Sequence, residues 1–416
     1  MEHFTYRNRE LFAEQVSLRA LADAVGTPAY VYSRAALLSS LAGYTRAFAG
    51  VEHLVCYAIK ANANLAVLSV LGAAGAGADI TSGGELYRAL RAGIAPARII
   101  FAGVGKTRDE MRDALKAGIL MFNVESTSEL RALDEVAREL GLRAPVALRV
   151  NPDVDPRTHP YIATGLRTAK FGLPIPQALA AYEEAARRPG LEVVGVQMHI
   201  GSQLTTTAPY AESVARMAAV VRQLRARGLA IRYVDVGGGL GIRYRDETVP
   251  GHAEYAAVLL PALRDLGATV VLEPGRSIAG NAGLLLTRVL YRKESPDKRF
   301  VIVDAAMNDL IRPAFYNAYH EIRPVDERGP DHPREQVDVV GPICESGDFL
   351  AKDRELPRAE EGDLLALMSA GAYASVMASN YNARPRAPEV LVDGTGYTIV
   401  RRRETYEDLV AGETAL

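Results

Sequence analysis

The chain has 416 residues, 49% of them hydrophobic and 24% charged, which is the balance of a folded globular protein and excludes disordered, collagen-like and coiled-coil classes. Its 48 Lys and Arg residues nearly match its 50 Asp and Glu residues, and the net charge of -2 favours a small-molecule partner over a nucleic acid or a membrane. With only Cys56 and Cys344, no secretory signal and no apolar stretch near the ~20 residues of a membrane span, we expect a cytoplasmic protein without a disulfide framework or a metal site.

Short β-branched runs alternate with helical segments rich in Ala, Leu, Arg and Glu from about residue 53 to residue 273. The runs are apolar almost throughout, and a helical stretch follows each of them. This pattern is typical of a closed (β/α)8 barrel, a TIM-like α/β fold, and fits an open sheet of five or six strands less well. The eight predicted strands cover residues 53–59, 78–81, 98–103, 119–124, 145–150, 192–200, 231–236 and 269–273.

The pattern changes after Gly280, where strand-like runs follow one another without regular helices between them. Turn-forming residues such as Pro296 and Gly329 separate the runs. This part of the chain therefore reads as a separate β domain, a β-sandwich or β-barrel. Its predicted strands cover residues 284–291, 300–304, 337–343, 363–368, 389–392 and 397–403.

Polar residues stand where the barrel strands end, which is where enzymes of this fold carry their active sites. One such residue alone would indicate a loop cap, but this combination of a lysine, a histidine, glycines and an acid with an arginine indicates a site. The residues are Lys60, Asp79, Asn123, Arg149, Asn151, His199, Ser202, the glycines 237–239, Glu273 and Arg276.

Lys60 ends the apolar run VCYAIKAN, where a lysine is unfavourable unless it is paired or used. One interpretation is a strand-end lysine that reaches solvent. The other is a desolvated amine that condenses with the carbonyl group of a substrate or of pyridoxal phosphate. The residue taken alone supports both interpretations about equally.

The run DVGGGLGI, residues 235–242, follows the seventh strand, where barrels commonly hold a phosphate group on backbone N–H groups. A glycine run alone is also consistent with a flexible turn. It does not match the dinucleotide-binding fingerprint, because no strand-loop-helix unit with an acidic partner begins the chain.

Glu273 and His199 each have two interpretations. Glu273 is either a structural acid paired with an arginine or a carboxylate that faces a cofactor's pyridine nitrogen. His199 is either a hydrogen-bonded core histidine or a flat ring that stacks on a cofactor. No HExxH or paired Cys/His pattern makes His199 a metal ligand.

Seven segments together resemble the diaminopimelate decarboxylases, a family within the alanine racemase-like, fold type III pyridoxal-phosphate enzymes. The resemblance runs from about residue 28 to residue 390. EPGR alone is shared with ornithine and arginine decarboxylases, whereas its combination with GPICESGD is more specific. The segments are YAIKAN, RVNPDVDPRTHPYIATG followed by KFG, MHIGSQ, DVGGGLGI, EPGR, GPICESGD and GAYASVMASNYN.

The resemblance implies a set of cofactor contacts. Lys60 would bind pyridoxal 5'-phosphate covalently, His199 would stack on its ring, and Glu273 would face its pyridine nitrogen. The phosphate and its neighbourhood would be contacted by Ser202, Gly238, Gly239, Gly275, Arg276 and Tyr373.

The resemblance also implies a substrate pocket and a homodimer. The far carboxylate of the substrate would bind to Arg276, Arg312 and Tyr316, with Tyr373 nearby, and its distal amine to Glu345. Cys344 and Glu345 would act across the dimer interface. The barrel would span 31–278, and 1–30 would join 279–416 in the β domain, which would contribute to the interface and the active site.

Residue chemistry supports part of this set independently. Arg276 and Arg312 each offer a bidentate fork for a carboxylate, although either is equally compatible with a surface or interface role. Cys344 alone suggests a small buried hydrophobe. Because it is followed by Glu345 in a loop bounded by Gly and Pro, it is also a plausible proton donor.

The predicted activity is the pyridoxal-phosphate-dependent decarboxylation of meso-2,6-diaminopimelate to L-lysine and carbon dioxide. The alternative is an ornithine, arginine or carboxynorspermidine-type decarboxylase of the same fold, against which Glu345 and the second carboxylate clamp argue. A non-catalytic pyridoxal-phosphate carrier is a third class, disfavoured because Lys60 and Cys344 are both present.

Overall fold

The computed structural model describes residues 2–155 and 170–416. The part of the RVNPDVDPRTHPYIATG motif beyond Asp155 lies outside the described residues. The chain divides into two compact units. The first comprises Leu38–Ile242 and Thr248–Ser277, and the second comprises Met1–Leu37, Arg243–Glu247 and Ile278–Leu416.

The N-terminal segment begins with three short strands, which pair in chain order and antiparallel as a small sheet. A fourth strand and two helices follow, and the Ser17 side chain caps the first helix by accepting from Ala20 N. These elements are β1 (Phe4–Arg7), β2 (Glu10–Ala13), β3 (Val16–Ser17), α1 (Leu18–Val25), β4 (Ala29–Ser33) and α2 (Arg34–Ala47).

The first unit carries the barrel strands, numbered β5 to β13. They are β5 (His53–Ala58), β6 (Gly77–Ile80), β7 (Ile99–Phe101), β8 (Met121–Val124), β9 (Ala144–Asn151), β10 (Leu173–Pro174), β11 (Leu191–Gln197), β12 (Tyr233–Asp235) and β13 (Thr269–Leu272). The helices between them are α3 (Leu65–Ala73), α4 (Gly83–Arg91), α5 (Arg108–Ala117), α6 (Thr127–Glu139), α7 (Ile175–Arg187), α8 (Ala208–Ala226) and α9 (His252–Arg264).

The predicted barrel is confirmed. Within the described ranges, eight of these strands pair in parallel and close into a ring, because β13 pairs with β5 and β8 pairs with β9. The two-residue β10 adds only to the side of β9. Buried side chains such as Ile100, Met121 and Val271 fill the core of the ring, which explains why the strands are apolar almost throughout. The sixth strand is shorter than predicted and ends at Gln197, so His199 lies in the loop that follows it.

The second unit is mostly sheet, as the change of pattern after Gly280 predicts. Its long strand β14 pairs with β4, so this strand of the N-terminal segment belongs to the same sheet, whereas β1 to β3 form a sheet of their own. Its C-terminal elements are α10 (Arg276–Ala279), which begins in the barrel unit, β14 (Gly283–Glu294), β15 (Arg299–Val303), α11 (Arg312–Tyr316), β16 (Ile322–Pro324), β17 (Arg334–Val340), β18 (Phe349–Pro357), β19 (Leu364–Leu367), β20 (Glu389–Asp393), β21 (Gly396–Arg401) and α12 (Tyr406–Leu409).

Among the strands after Gly280, β16 and β18 are not evident from the sequence. Strand β18 has the sequence FLAKDRELP and pairs with β17 alone, at the end of its sheet. Charged residues suit such an edge position and hide the strand from a pattern search. No helix within the two described ranges is long and apolar enough to cross a membrane.

Candidate active site

Lys60 lies in a short 3-10 turn, Ile59–Ala61, that directly follows β5. Its Nζ donates to Asp79 Oδ2 at 2.6 Å, and Asp79 is placed by the neighbouring strand β6. The Asp79 side chain is fully buried, whereas that of Lys60 is 38% exposed. The other carboxylate oxygen, Asp79 Oδ1, is buried without a hydrogen-bond partner in the described part of the chain. Lys60 is therefore a paired lysine at the mouth of the barrel, next to an acceptor that has spare capacity.

Glu273 follows β13 and belongs to a buried polar cluster. Asn123 Nδ2 donates to Glu273 Oε1 at 3.2 Å and to Asp235 Oδ2 at 2.9 Å, so one amide bridges two carboxyl groups. Gln197 Nε2 also donates to Glu273 Oε1 at 3.2 Å. No arginine is among the Glu273 partners that the described residues provide, so these residues do not support the interpretation as an arginine-paired structural acid.

Burial changes the acidity of both carboxyl groups in this cluster. It raises the pKa of Glu273 well above its usual value, and the nearby carboxyl groups of Asp235 and Asp79 raise it further. Burial likewise raises the pKa of Asp235 to about 7, although hydrogen bonds to it oppose the shift. Two carboxyl groups this close in a dry environment favour a state that retains a proton.

His199 is fixed by the glycine loop. Gly238 N donates to His199 Nδ1 at 3.1 Å, and that nitrogen lies 4.0 Å from Glu273 Oε2. Burial lowers the pKa of His199 well below its usual value, and the positive charges of Arg149 and Lys60 add to the effect. The ring is therefore neutral, with its hydrogen on Nε2. The hydrogen-bonded role of His199 is therefore present, and its stacking on a cofactor stays a prediction.

The glycine run packs too tightly to accept side chains. A Cβ on Gly238 would overlap the Glu273 carbonyl oxygen, and one on Gly239, whose φ is +101°, would overlap the Gly201 carbonyl oxygen. Beside this run, Arg276 Nη2 donates to Ser202 Oγ at 3.1 Å. A Cβ on Gly275 would lie 3.0 Å from Ala61 Cβ. Five of the six residues predicted to surround a phosphate, all except Tyr373, are thus grouped at one end of the barrel.

The remaining predicted residues lie in the second unit. Arg312 is buried, its Nη1 lies 3.0 Å from His320 Nε2, and its guanidinium carbon lies 4.8 Å from the centre of the Tyr244 ring. The Tyr316 ring packs edge-on against Phe315, with ring centres 4.6 Å apart. Tyr373 has a φ of +54°, an unusual conformation for a non-glycine residue.

Cys344 and Glu345 lie in the loop between β17 and β18. Cys344 is an exposed free thiol, so the interpretation as a small buried hydrophobe is wrong. Its backbone N donates to Asn382 Oδ1 at 2.8 Å, and Tyr381 OH donates to Glu345 Oε2 at 3.4 Å. The loop is thus tied to the segment that contains the GAYASVMASNYN motif.

Sequence reasoning did not single out Gln197, Asp235 or His320. Gln197 and Asp235 are the polar last residues of apolar strands in a parallel sheet, a signal that would have identified them. His320 has no such signal, because it precedes a strand that the sequence does not reveal.

Comparison with known proteins adds independent support. Residues 34–280 match a family model described as the pyridoxal binding domain of pyridoxal-dependent decarboxylases. The chain is 56% identical over 416 residues to diaminopimelate decarboxylase of Pseudomonas aeruginosa, with 100% of both chains covered. It is similar to the crystal structure of Helicobacter pylori diaminopimelate decarboxylase complexed with L-lysine, with a TM-score of 0.92, 44% identity and 95% and 99% of the two chains covered. For the M. jannaschii diaminopimelate decarboxylase in co-complex with L-lysine, the TM-score is 0.95 and the identity 40%, with 100% and 98% covered.

Proposed function

Since the chain belongs to the diaminopimelate decarboxylases, within the family of pyridoxal-dependent decarboxylases, we propose that it converts meso-2,6-diaminopimelate to L-lysine and carbon dioxide. The observation that carries this proposal is the grouping of Lys60, Glu273 and His199 at one end of a closed barrel, in a chain 56% identical to such an enzyme over its full length.

The donor set fits pyridoxal 5'-phosphate. Asp79 Oδ1, Asn123 Oδ1 and Gln197 Oε1 are buried oxygens without hydrogen-bond partners in the described ranges, next to a lysine amine, a buried acid and a neutral histidine. In the proposal Lys60 would bind the cofactor, His199 would stack on its ring and Glu273 would face its ring nitrogen. The residues that would contact its phosphate and the neighbourhood of the phosphate are Ser202, Gly238, Gly239, Gly275, Arg276 and Tyr373. When bound there, the cofactor supplies the electron sink that decarboxylation requires.

Three side chains of the chain itself, Asp79, Glu273 and His199, control hydrogen bonding and charge in this site. Asp79 Oδ2 accepts a hydrogen bond from Lys60 Nζ at 2.6 Å, which orients that amine. Glu273 holds a proton in its buried cluster because its pKa is raised, and it would stabilise the protonated form of a cofactor ring nitrogen held beside it. His199 stays neutral, so it adds no positive charge beside the ring nitrogen.

Substrate recognition is assigned to arginines, tyrosines and one acid. Arg276, Arg312 and Tyr316 would bind the carboxylate that L-lysine keeps, Tyr373 would contact the substrate, and Glu345 would bind the distal ammonium group. Arg312 is buried, which strengthens a charge-assisted hydrogen bond to a carboxylate. Leaving a buried guanidinium without such a partner costs about 2–5 kcal/mol of binding free energy. Arg312 would therefore strongly favour a substrate that carries a second carboxylate over one that lacks it.

A steady-state assay tests the proposed function. L-lysine formation from meso-diaminopimelate is measured with and without added pyridoxal phosphate, beside parallel reactions with ornithine and with arginine. We expect cofactor-dependent turnover of diaminopimelate only. Preferred turnover of ornithine, arginine or a carboxylated polyamine would overturn the substrate assignment, and cofactor binding without turnover of any of them would favour the non-catalytic carrier.

The proposal includes a homodimer in which Cys344 and Glu345 of one chain serve the site of the other, with Cys344 as a proton donor. The exposed position of the Cys344 thiol in a tethered loop supports a role at an interface. The low cysteine content also supports a cytoplasmic location.

Complementation tests the shared site. Inactive Lys60→Ala and inactive Cys344→Ala chains carrying different tags are co-expressed, and mixed dimers are isolated to confirm pairing. Random pairing makes half of the dimers mixed, and each mixed dimer has one intact site out of two. The unfractionated co-expressed protein should therefore show about a quarter of the wild-type activity. Confirmed mixed dimers without activity would overturn the shared site and leave the decarboxylase assignment in place.

A further inference from the structure

His320 is held rigidly in the second unit. It is fully buried and lies two residues before β16, which pairs with β19. Met368, which directly follows β19, donates its backbone N–H to the Glu321 carbonyl oxygen at 2.8 Å and so extends this pairing towards the histidine. The ring also meets Tyr244 edge-on, with ring centres 5.5 Å apart. Its position is therefore set by strand pairing rather than by a mobile loop.

The two hydrogen bonds of the His320 ring determine its tautomer. Nδ1 lies 2.8 Å from the Met368 carbonyl oxygen, which only accepts, so Nδ1 carries the hydrogen. Nε2 lies 3.0 Å from Arg312 Nη1, which only donates, so Nε2 accepts. Both partners require the same neutral form of the ring, with the hydrogen on Nδ1.

This arrangement has a consequence for Arg312. A guanidinium group has five N–H donors in a fixed plane; His320 contacts one of its nitrogens, and its central carbon lies over the Tyr244 ring. Neither contact neutralises the positive charge, because the imidazole is neutral and the phenol ring attracts the cation only through its π electrons. As a neutral acceptor, His320 orients the guanidinium group without itself competing with a carboxylate ligand for the positive charge.

We propose that His320 is a positioning residue, which through Arg312 selects ligands that carry the carboxylate retained in L-lysine. The inference rests on the proposed function, since it takes Arg312 to be the site of that carboxylate. His320 itself does not touch the substrate. Its contribution is to hold the guanidinium plane in one orientation before the ligand binds.

Two isosteric substitutions separate the two hydrogen bonds. In His320→Asn, the side-chain NH2 group lies near the former Nδ1 and still donates to Met368, but no atom reaches Arg312. In His320→Gln, the amide oxygen lies near the former Nε2 and accepts from Arg312. The holoenzyme of each variant is titrated calorimetrically with L-lysine, which carries the carboxylate, and with cadaverine, the same diamine without it.

We expect His320→Asn to weaken L-lysine binding about tenfold and to leave cadaverine binding within about twofold, because only the carboxylate depends on the orientation of Arg312. We expect His320→Gln to restore most of the L-lysine affinity. Equal weakening for both ligands in His320→Asn, or unchanged L-lysine affinity, would overturn the inference. If His320→Asn does not fold, as judged by its circular dichroism, His320→Gln decides, since a large loss of L-lysine affinity in a folded protein contradicts the role of the acceptor.

Arg312→Ala distinguishes a failure of this inference from a failure of the proposed function. If Arg312→Ala leaves L-lysine binding unchanged, the carboxylate assignment itself is wrong. If Arg312→Ala weakens binding but His320→Asn does not, only the role of His320 is wrong. In the double variant, His320→Asn should add no further loss of L-lysine affinity, because its effect passes through the arginine.

Discussion

Two lysines of the barrel unit occupy contrasting environments. Lys106, which precedes α5, has a fully buried side chain whose Nζ donates to the Gly103 and Asn123 carbonyl oxygens and to Glu129 Oε1, each at 2.7 Å. All three of its donors are thus used. Lys60 has a similar ion pair of 2.6 Å with Asp79, but its side chain is 38% exposed. A lysine in this unit is therefore structural or reactive according to its surroundings, not according to the presence of a carboxylate partner.

The partner carboxylates differ in the same way. Both oxygens of Glu129 are satisfied, since Oε1 accepts from Lys106 and Oε2 accepts from Glu125 N at 2.9 Å. One oxygen of Asp79 has no partner in the described ranges. The pair around Lys106 is closed, whereas the pair around Lys60 retains capacity for another donor. We read the closed pair as part of the scaffold and the open pair as part of the site.

Of the substitutions considered, Lys60→Ala should have the largest effect. A small effect would contradict the distinction between a reactive Lys60 and a structural Lys106. We expect the visible absorbance of lysine-bound cofactor and nearly all turnover to disappear, because Lys106 has no N–H left and no access to replace the amine. The absorbance spectrum and borohydride reduction followed by peptide mapping check this. A reducible link at any other lysine would contradict the assignment.

Glu273→Gln should lower turnover by about 100-fold while the cofactor stays bound, because an amide does not stabilise a protonated ring nitrogen as a carboxylate does. Cofactor occupancy is measured from the absorbance spectrum and turnover from L-lysine formation. Glu129→Gln is the matched control, since it changes the carboxylate of the closed pair, and it should affect stability more than turnover. Near-normal turnover in Glu273→Gln would remove Glu273 from the chemistry.

The contrast between the lysines also shows what the sequence predicts and what it does not. The eight barrel strands and the polar residues at their ends follow from apolar runs that alternate with helical stretches. This pattern correctly placed Lys60, His199 and Glu273 at one end of the barrel. The sequence does not show which side chains bridge between strands, so Asn123 appeared only as a strand-end residue and not as the link between Glu273 and Asp235. Strand β18 was missed because edge strands tolerate charge.

Lys106→Met should destabilise the protein without removing cofactor absorbance. Breaking a buried ion pair leaves Glu129 buried without its partner, which typically costs about 3–5 kcal/mol. Urea unfolding checks the free energy of unfolding, with Lys116→Met as the control, because Lys116 is exposed on α5 and its replacement should change stability by about 0.5 kcal/mol or less. Loss of the cofactor absorbance in a folded Lys106→Met protein would mean that Lys106 is not purely structural.

Asp235→Asn should have the smallest effect, a change in how the free energy of unfolding depends on pH. The pKa of Asp235 is raised to about 7 in the fold from a usual value of 3.8. Between these two values the folded protein keeps a proton that the unfolded chain releases, so this group makes the free energy of unfolding fall as the pH rises. Asp235→Asn removes that contribution, so its unfolding free energy should fall less steeply between about pH 5 and 7.

The readout for Asp235→Asn is a slope, which separates titration from any constant cost of losing a hydrogen bond to Gly237 N or Asn123. Urea unfolding midpoints of the protein freed of cofactor, measured at intervals across that pH range, give the slope. The exposed carboxyl of Asp113 provides the control, since Asp113→Asn should leave the slope unchanged. If wild type and Asp235→Asn were to lose stability in parallel, the buried cluster would not hold its proton at Asp235, and Glu273 would be the carboxyl group that keeps it.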